Sequence, residues 1–433
     1  MTPPRPRRMS LRIPRLAAIC MGGLLLGLLQ EARSQAVVAD DPPAAGATAL
    51  RELRAWLDQP AEQRQPLTEQ AFANAPLSKR QAEQATEWLR EAQVETMRAS
   101  DRESFSEGVV RAGETEMKFA YRRFGRPGRN GRSLYISMHG GGGAPERVND
   151  QQWENQKRLY EPAEGIYVAP RAPGNTWDLW HQGHIDPLFD QLIAQMIVFE
   201  QVDPNRVYLM GYSAGGDGVY QVAPRMADRF AAAAMMAGHP NETSPLGLRN
   251  LPFALYCGGR DTAYQRNEHT ERMNKELDAL RQDDPAGYLH RAVIYPDKAH
   301  WMDREDAEAV PWMAEFTREA HPDRIVWKQD DVIETRFYWL AMSREDGADR
   351  TLVTARRDGQ VITIEEVSKP LSLTIRFDDS MIDFDQPVKI VHGDQTLFEG
   401  ELSRTISMID RSLSERADPT CVFTAEVSVE IAP

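Results

Sequence analysis

A chain of 433 residues, 41% hydrophobic and 27% charged, has room for two or three ordinary domains and can bury a full core. That balance excludes a fibre, a disordered chain and a multi-span membrane protein. The net charge of −14 repels polyanions, which argues against nucleic acid and anionic lipid as partners. Three cysteines are too few for a disulfide framework, and Cys257, inside an apolar run, reads as a buried free thiol.

The chain opens with Arg5, Arg7, Arg8, Arg12 and Arg15, followed by an apolar run from Leu16 to Leu29 and the small-residue site Ser34-Gln35-Ala36. This order of features predicts a secretory signal peptide over residues 1–36 and a protein exported to the periplasm or the extracellular space. The apolar run is shorter than the ~20 residues of a spanning helix, so no stable membrane insertion is expected after cleavage. Cleavage removes six arginines and one glutamate, taking the net charge to −19.

Residues 37–107 read as a linker and N-terminal helices. The stretch 37–47 is rich in Ala and Pro and predicts a flexible tether. Ser78 and Gln81 have capping-box spacing, and Ala82, Ala85, Leu89 and Ala92 then mark one face of a helix. Nothing in this segment carries chemistry. It is expected to pack on the domain that follows.

From residue 108 short β-rich runs alternate with helical segments: 133–139, 166–170, 207–211, 230–238, 253–258 and 292–296. Their near-continuous apolarity fits strands covered on both faces, as in a mostly parallel, doubly wound α/β sheet. A closing helix is expected over about 301–319. The catalytic domain is placed at 108–322. After Pro322 come strand-like runs at 325–328, 336–342, 351–356, 361–365, 371–377, 388–391 and 422–431, with hairpin turns at Asp358-Gly359 and Gly393-Asp394. These predict a β-sandwich-like domain over 323–433.

The chemistry centres on Gly211-Tyr212-Ser213-Ala214-Gly215. A bare G-x-S-x-G occurs by chance in roughly one chain of this length in seven. Here a strand precedes it and a helix can start behind it, the setting that a nucleophilic serine on a sharp turn requires. His139-Gly140-Gly141-Gly142-Gly143 follows the strand at 133–138. Such a loop can turn backbone N–H groups toward a developing oxyanion, which makes Gly140 or Gly141, together with Ala214, the candidate oxyanion hole. Asp261 ends the strand at 253–258, and His300 follows the one at 292–296. The chain order Ser, Asp, His gives the histidine a proton to take from Ser213 and gives the aspartate a role in holding the imidazole. Trp177, Trp180, Tyr212 and Trp301 are candidates for lining a substrate cleft.

Over about half the chain, residues 108–320, these motifs resemble the α/β-hydrolase superfamily, in particular its esterase, polyhydroxybutyrate-depolymerase and prolyl-oligopeptidase-like branches. The resemblance implies an α/β-hydrolase fold, a catalytic triad of Ser213, Asp261 and His300, and neither metal nor organic cofactor. The expected activity is hydrolysis of a small-molecule or polymer carboxylic ester through an acyl-enzyme. Two alternatives stand beside it: a serine peptidase with the same triad, and a polymer- or glycan-binding protein acting through Trp327, Phe337, Tyr338 and Trp339 of the terminal β-domain. His181, His184 and Asp186 have ligand-like spacing. No further His or Cys cluster points to them, so no metal site is expected.

Overall fold

The computed structural model describes residues 44–433, which form one compact unit. The expected signal peptide and most of the tether lie outside the described residues. The last residues assigned to the tether, 44–47, instead make the first turn of helix α1 (Ala44–Leu57). The reason is local: alanine is the best helix former, and this turn reads Ala-Ala-Gly-Ala. Helix α2 (Lys79–Ser106) starts at the expected capping box, with the Ser78 N–H donating to Gln81 Oε1 at 2.9 Å and the Gln81 N–H to Ser78 Oγ at 3.4 Å. Ala82, Ala85 and Leu89 are buried.

The central sheet comprises β1 (Val109–Ala112), β2 (Thr115–Phe124), β3 (Arg132–Met138), β4 (Gly165–Arg171), β5 (Val202–Tyr212), β6 (Ala232–Met236), β7 (Phe253–Gly258) and β8 (His290–Tyr295). Their order is β1-β2-β4-β3-β5-β6-β7-β8. From β4 to β8 the pairing is parallel, while β1 and β2 extend one edge antiparallel. Every residue of β4, β6 and β7 is buried, as strands covered on both faces must be. Helices α3 (Glu146–Gln156), α4 (Ile185–Glu200), α5 (Ala214–Arg225) and α6 (Arg266–Asp283) connect the strands. The chain leaves β3 toward β4 on one side and returns to β5 on the other. That reversal leaves a crevice at the carboxyl ends of β3 and β5, where ligands bind in open α/β sheets.

No long helix closes this region. Residues 305–308 make a 3₁₀ turn and α7 spans only Ala309–Met313. Asp303 and Arg304 take positive φ, and Pro311 lacks the N–H that a longer helix would need, so the run cannot be continuous.

The remaining strands are β9 (Arg324–Lys328), β10 (Arg336–Phe337), β11 (Leu340–Ala341), β12 (Leu352–Asp358), β13 (Val361–Val367), β14 (Leu371–Phe377), β15 (Val388–His392), β16 (Gln395–Gly400) and β17 (Ala425–Ile431). They form a five-stranded sheet, β16-β15-β13-β12-β9, and a four-stranded sheet, β10-β11-β14-β17. Ile325, Val353, Ile362 and Ile364 from one, and Leu340, Leu373, Ile375 and Phe377 from the other, meet in a common core. Both expected hairpins are present. A short α8 (Arg344–Gly347) and a longer α9 (Ile406–Arg416) complete the fold.

The N-terminal helices pack differently from expectation. Leu53, Ala82, Ala85 and Leu89 share their core with Ile406, Ile409 and Leu413 of α9. Only the far end of α2 reaches the central sheet region, where Phe105 stacks on Phe199 at 4.6 Å.

Candidate active site

Ser213 sits between β5 and α5 with φ 59° and ψ −122°, a conformation that costs a non-glycine residue about 1–3 kcal/mol. Hydrogen bonds hold it there: its N–H donates to Met236 O at 2.9 Å, and its carbonyl accepts the Asp217 N–H at 2.9 Å. The flanking glycines are required by space. A Cβ on Gly211 would stand 2.3 Å from Gly215 O, and one on Gly215 would stand 2.1 Å from Met138 O.

The Ser213 hydroxyl meets His300 Nε2 at 2.9 Å, and His300 Nδ1 meets Asp261 Oδ2 at 2.7 Å. Asp261 is buried, and a carboxylate there accepts only, so Nδ1 carries the proton and Nε2 is free to accept one from Ser213. The neighbouring acids are engaged elsewhere, Asp297 with Arg260 at 3.1 Å and Asp303 with Lys298 at 2.9 Å. The loops carrying Asp261 and His300 are tied together by the Arg260 N–H to Lys298 O bond at 2.9 Å.

Tyr212 does more than line a cleft. Its hydroxyl donates to His300 O at 2.7 Å and accepts the Met302 N–H at 3.0 Å, so it pins the loop that presents the imidazole. Burial raises the phenol well above its ordinary pKa and keeps the hydroxyl a donor.

The glycine loop lies directly against Ser213: a Cβ on Gly140 would stand 3.2 Å from Ser213 Cβ. His139 sets its orientation. The Ala172 N–H donates to His139 Nε2 at 3.1 Å, so Nδ1 must hold the ring proton, which it donates to Gly140 O at 2.6 Å. Burial lowers this histidine to about 4, keeping it neutral. With the Gly140 carbonyl held on His139, the Gly141 N–H of the same trans peptide points the opposite way. The Gly142 N–H is taken by Asn149 Oδ1 at 3.0 Å, whereas those of Gly140 and Gly141 make no bond among the described residues. The Ala214 N–H, first in α5, has no partner within its helix and adds the dipole of the helix start.

A cavity of about 790 Å³ opens over Ser213 and His300, lined by Val148, Leu159, Tyr212 and Trp301. Trp301 is half-exposed on its rim. Trp180, expected in the cleft, is fully buried, with its Nε1–H donating to His139 O at 2.9 Å. It is a core residue supporting the glycine loop, because its position on the turn into α4 faces α5 and not solvent. Trp177 is exposed, but it lines a different cleft. Trp327, Phe337, Tyr338 and Trp339, the residues of the alternative binding-protein reading, are all buried and offer no stacking face.

Asp186 is committed to Arg225 at 2.6 Å, and among the described residues no group of three His, Cys, Asp or Glu is placed to hold a metal. No described helix is long and apolar enough to cross a membrane. Sequence reasoning missed Asn149, which is buried and braces the loop from α3 by also donating to Gly142 O at 3.0 Å. One asparagine on a polar helix gives no signal. It missed Asp217 as well, one turn beyond Ser213.

Residues 169–327 match the sequence model of the dienelactone hydrolase family. Ser213, Asp261 and His300 fall inside that segment and the glycine loop falls before it. The chain is 30% identical over 187 residues to "Putative esterase NocK" of Nocardia uniformis subsp. tsuyamanensis, covering 39% of this chain and 52% of that one. It is 31% identical over 141 residues to the bifunctional acetylxylan esterase/xylanase XynS20E of Neocallimastix patriciarum, covering 31% and 20%. The chain thus spans about half or less of the length of these curated relatives. Among solved structures it is similar to a thermostable esterase at 18% identity and a TM-score of 0.39, covering 48% of this chain and 62% of that one.

Proposed function

We propose that this chain, a member of the α/β-hydrolase superfamily, is a serine hydrolase that cleaves carboxylic esters through an acyl-enzyme. The observation that carries this reading is the unbroken relay from Ser213 through His300 to Asp261, with bonds of 2.9 and 2.7 Å. The similarity to proteins described as esterases supports it from a separate direction.

In the reaction, Ser213 Oγ attacks the ester carbonyl carbon while its proton moves to His300 Nε2. The carbonyl π electrons pass to the oxygen, which the N–H groups of Ala214 and of Gly140 or Gly141 stabilise. One such donor is typically worth 10²–10³-fold in rate. The carbonyl re-forms, the C–O bond to the alcohol breaks, and His300 protonates the departing oxygen. Water then attacks the acyl-enzyme with His300 as base, releasing the acid and restoring Ser213. Asp261 keeps Nδ1 protonated and offsets the imidazolium charge in both halves. The acyl group occupies the cavity beside Val148, Leu159, Tyr212 and Trp301.

The test is Ser213→Ala with p-nitrophenyl acetate as substrate and circular dichroism as the fold control. Turnover is expected to vanish with the spectrum unchanged. Hydrolysis by the variant at the wild-type rate would refute the reading, and faster cleavage of peptide anilides than of p-nitrophenyl esters would transfer the triad to a peptidase.

A further inference from the structure

A second cleft, of about 400 Å³, is lined by Trp177, His181 and Glu242 from the α/β region and by Asp330, Asp331 and Arg350 from the β-region. The glycine loop links it to the catalytic cavity. Gly140, Gly141 and Ala144 line the cavity over Ser213, while Gly142 and Gly143 of the same loop abut Trp177, whose Cα stands 3.7 Å from where their Cβ atoms would be. The glycine loop thus touches Trp177 of this cleft through Gly142 and Gly143 and lines the cavity assigned to the acyl group through Gly140 and Gly141.

Four observations describe what fits there. The Trp177 side chain is 65% exposed although its neighbours Leu179 and Trp180 are fully buried, so it offers a flat apolar face to solvent. The His181 ring stands edge-on to Trp177 at 5.5 Å and is only 9% exposed, yet its buried Nε2 has no hydrogen-bond partner among the described residues. A polar atom kept buried and unpaired costs about 1–3 kcal/mol unless a ligand or water satisfies it. Arg350 spans the cleft's edge, with Nη2 at 3.2 Å from both Glu242 Oε2 of the α/β region and Asp330 Oδ1 of the β-region. Finally, three carboxylates face one guanidinium, an excess of negative charge that turns away anionic ligands.

A neutral molecule with one apolar face and a rim of hydroxyls matches all four. The ring's C–H face covers the indole, and its hydroxyls donate to carboxylate oxygens and accept from the guanidinium. We infer that this cleft binds the alcohol part of the ester as a sugar residue, stacked on Trp177 and hydrogen-bonded by Asp331, Arg350 and His181. This inference rests on the ester-hydrolase reading. It makes the β-region a contributor to substrate choice, through polar groups at its seam with the α/β region.

The experiment compares kcat/KM for a partly acetylated xylo-oligosaccharide with that for p-nitrophenyl acetate in wild type, Trp177→Ala and Asp331→Asn. The ratio of the two constants is expected to fall fivefold or more in each variant, mainly through KM for the saccharide. Asp331→Asn, a substitution of equal size that leaves Trp177 in place, keeps the test meaningful if Trp177→Ala disturbs the glycine loop. A ratio that falls by less in Asp331→Asn overturns the inference while wild-type cleavage of p-nitrophenyl acetate leaves the esterase reading standing. Wild-type failure on every ester, saccharide or aryl, overturns both.

Discussion

Asp217 lies in the first turn behind the nucleophile, where a carboxylate would favour the helix start but oppose a developing oxyanion. Burial raises its pKa to about 6, although it accepts the His239 N–H at 2.6 Å. The sign follows from linkage. A carboxyl whose folded pKa lies above its unfolded value of 3.8 holds its proton more tightly in the native state. Its contribution to stability is therefore lost as pH rises from about 4 through about 6, and the burial cost is complete above that range. Asp217→Asn keeps an acceptor for His239 and removes the charge. The variant's melting temperature relative to wild type should rise between pH 4 and pH 7 and then level off; a difference independent of pH over that range would contradict the assignment.

At the scale of elements, the site depends on three loops that β3, β7 and β8 deliver to the carboxyl ends of the parallel strands, and each is tied down by a neighbour. The loop after β3 hangs on His139 and Asn149, the loops after β7 and β8 on each other, and the His300 loop on the Tyr212 hydroxyl. Removing that hydroxyl with Tyr212→Phe strands His300 O and the Met302 N–H. The expected loss is about 1–3 kcal/mol of stability. It should also lower kcat by roughly tenfold with a smaller change in KM, because imidazole placement governs the chemical step more than binding. Stopped-flow acylation with p-nitrophenyl acetate and a thermal melt would measure both, and an unchanged acylation rate would count against the pinning role.

The pattern of what the sequence reveals is also set at this scale. Strands buried on both faces announce themselves as apolar runs, so the parallel strands lie within a residue or two of the runs expected, except that β5 starts five residues earlier, at Val202. The edge strands β1 and β2 were not recognised, because residues such as Glu116, Lys118, Arg122 and Arg123 give them the polarity of a half-solvated antiparallel edge. Helix α9 was missed for a related reason. Its buried positions, Ile406, Met408, Ile409, Ser412 and Leu413, are interrupted by polar residues, and the partner that buries Ile406, Ile409 and Leu413 lies more than 300 residues earlier in the chain.

On the scale of the whole molecule, the α/β and β-regions are joined as one body. The apolar core is continuous between them, and buried charges cross the seam: Asp418 pairs with Arg318 at 2.7 Å and with Arg229 at 3.2 Å, and Arg416 pairs with Asp228. Separating the regions would leave these charges buried without partners, or force them into water along with apolar surface. Breaking a single such pair costs about 3–5 kcal/mol. Residues 323–433 expressed alone should therefore be unfolded or aggregated, as judged by dispersion in a ¹H–¹⁵N spectrum. A well-dispersed spectrum would show that the seam is dispensable for folding.

By itself the sequence determined the parallel strands and the candidate reacting groups: a serine between two glycines at a strand's end, a glycine loop after an earlier parallel strand, and an aspartate and a histidine after later strands. These are legible because each depends on residues close together in the chain, through backbone space and strand burial. The tertiary structure alone decided that Trp180 is core while Trp177 is exposed, that Tyr212 supports the histidine loop, and that acids of the β-region line a cleft beside the glycine loop. Such facts depend on which surfaces meet across hundreds of residues, and neither composition nor periodicity encodes the direction in which a side chain will find its neighbours.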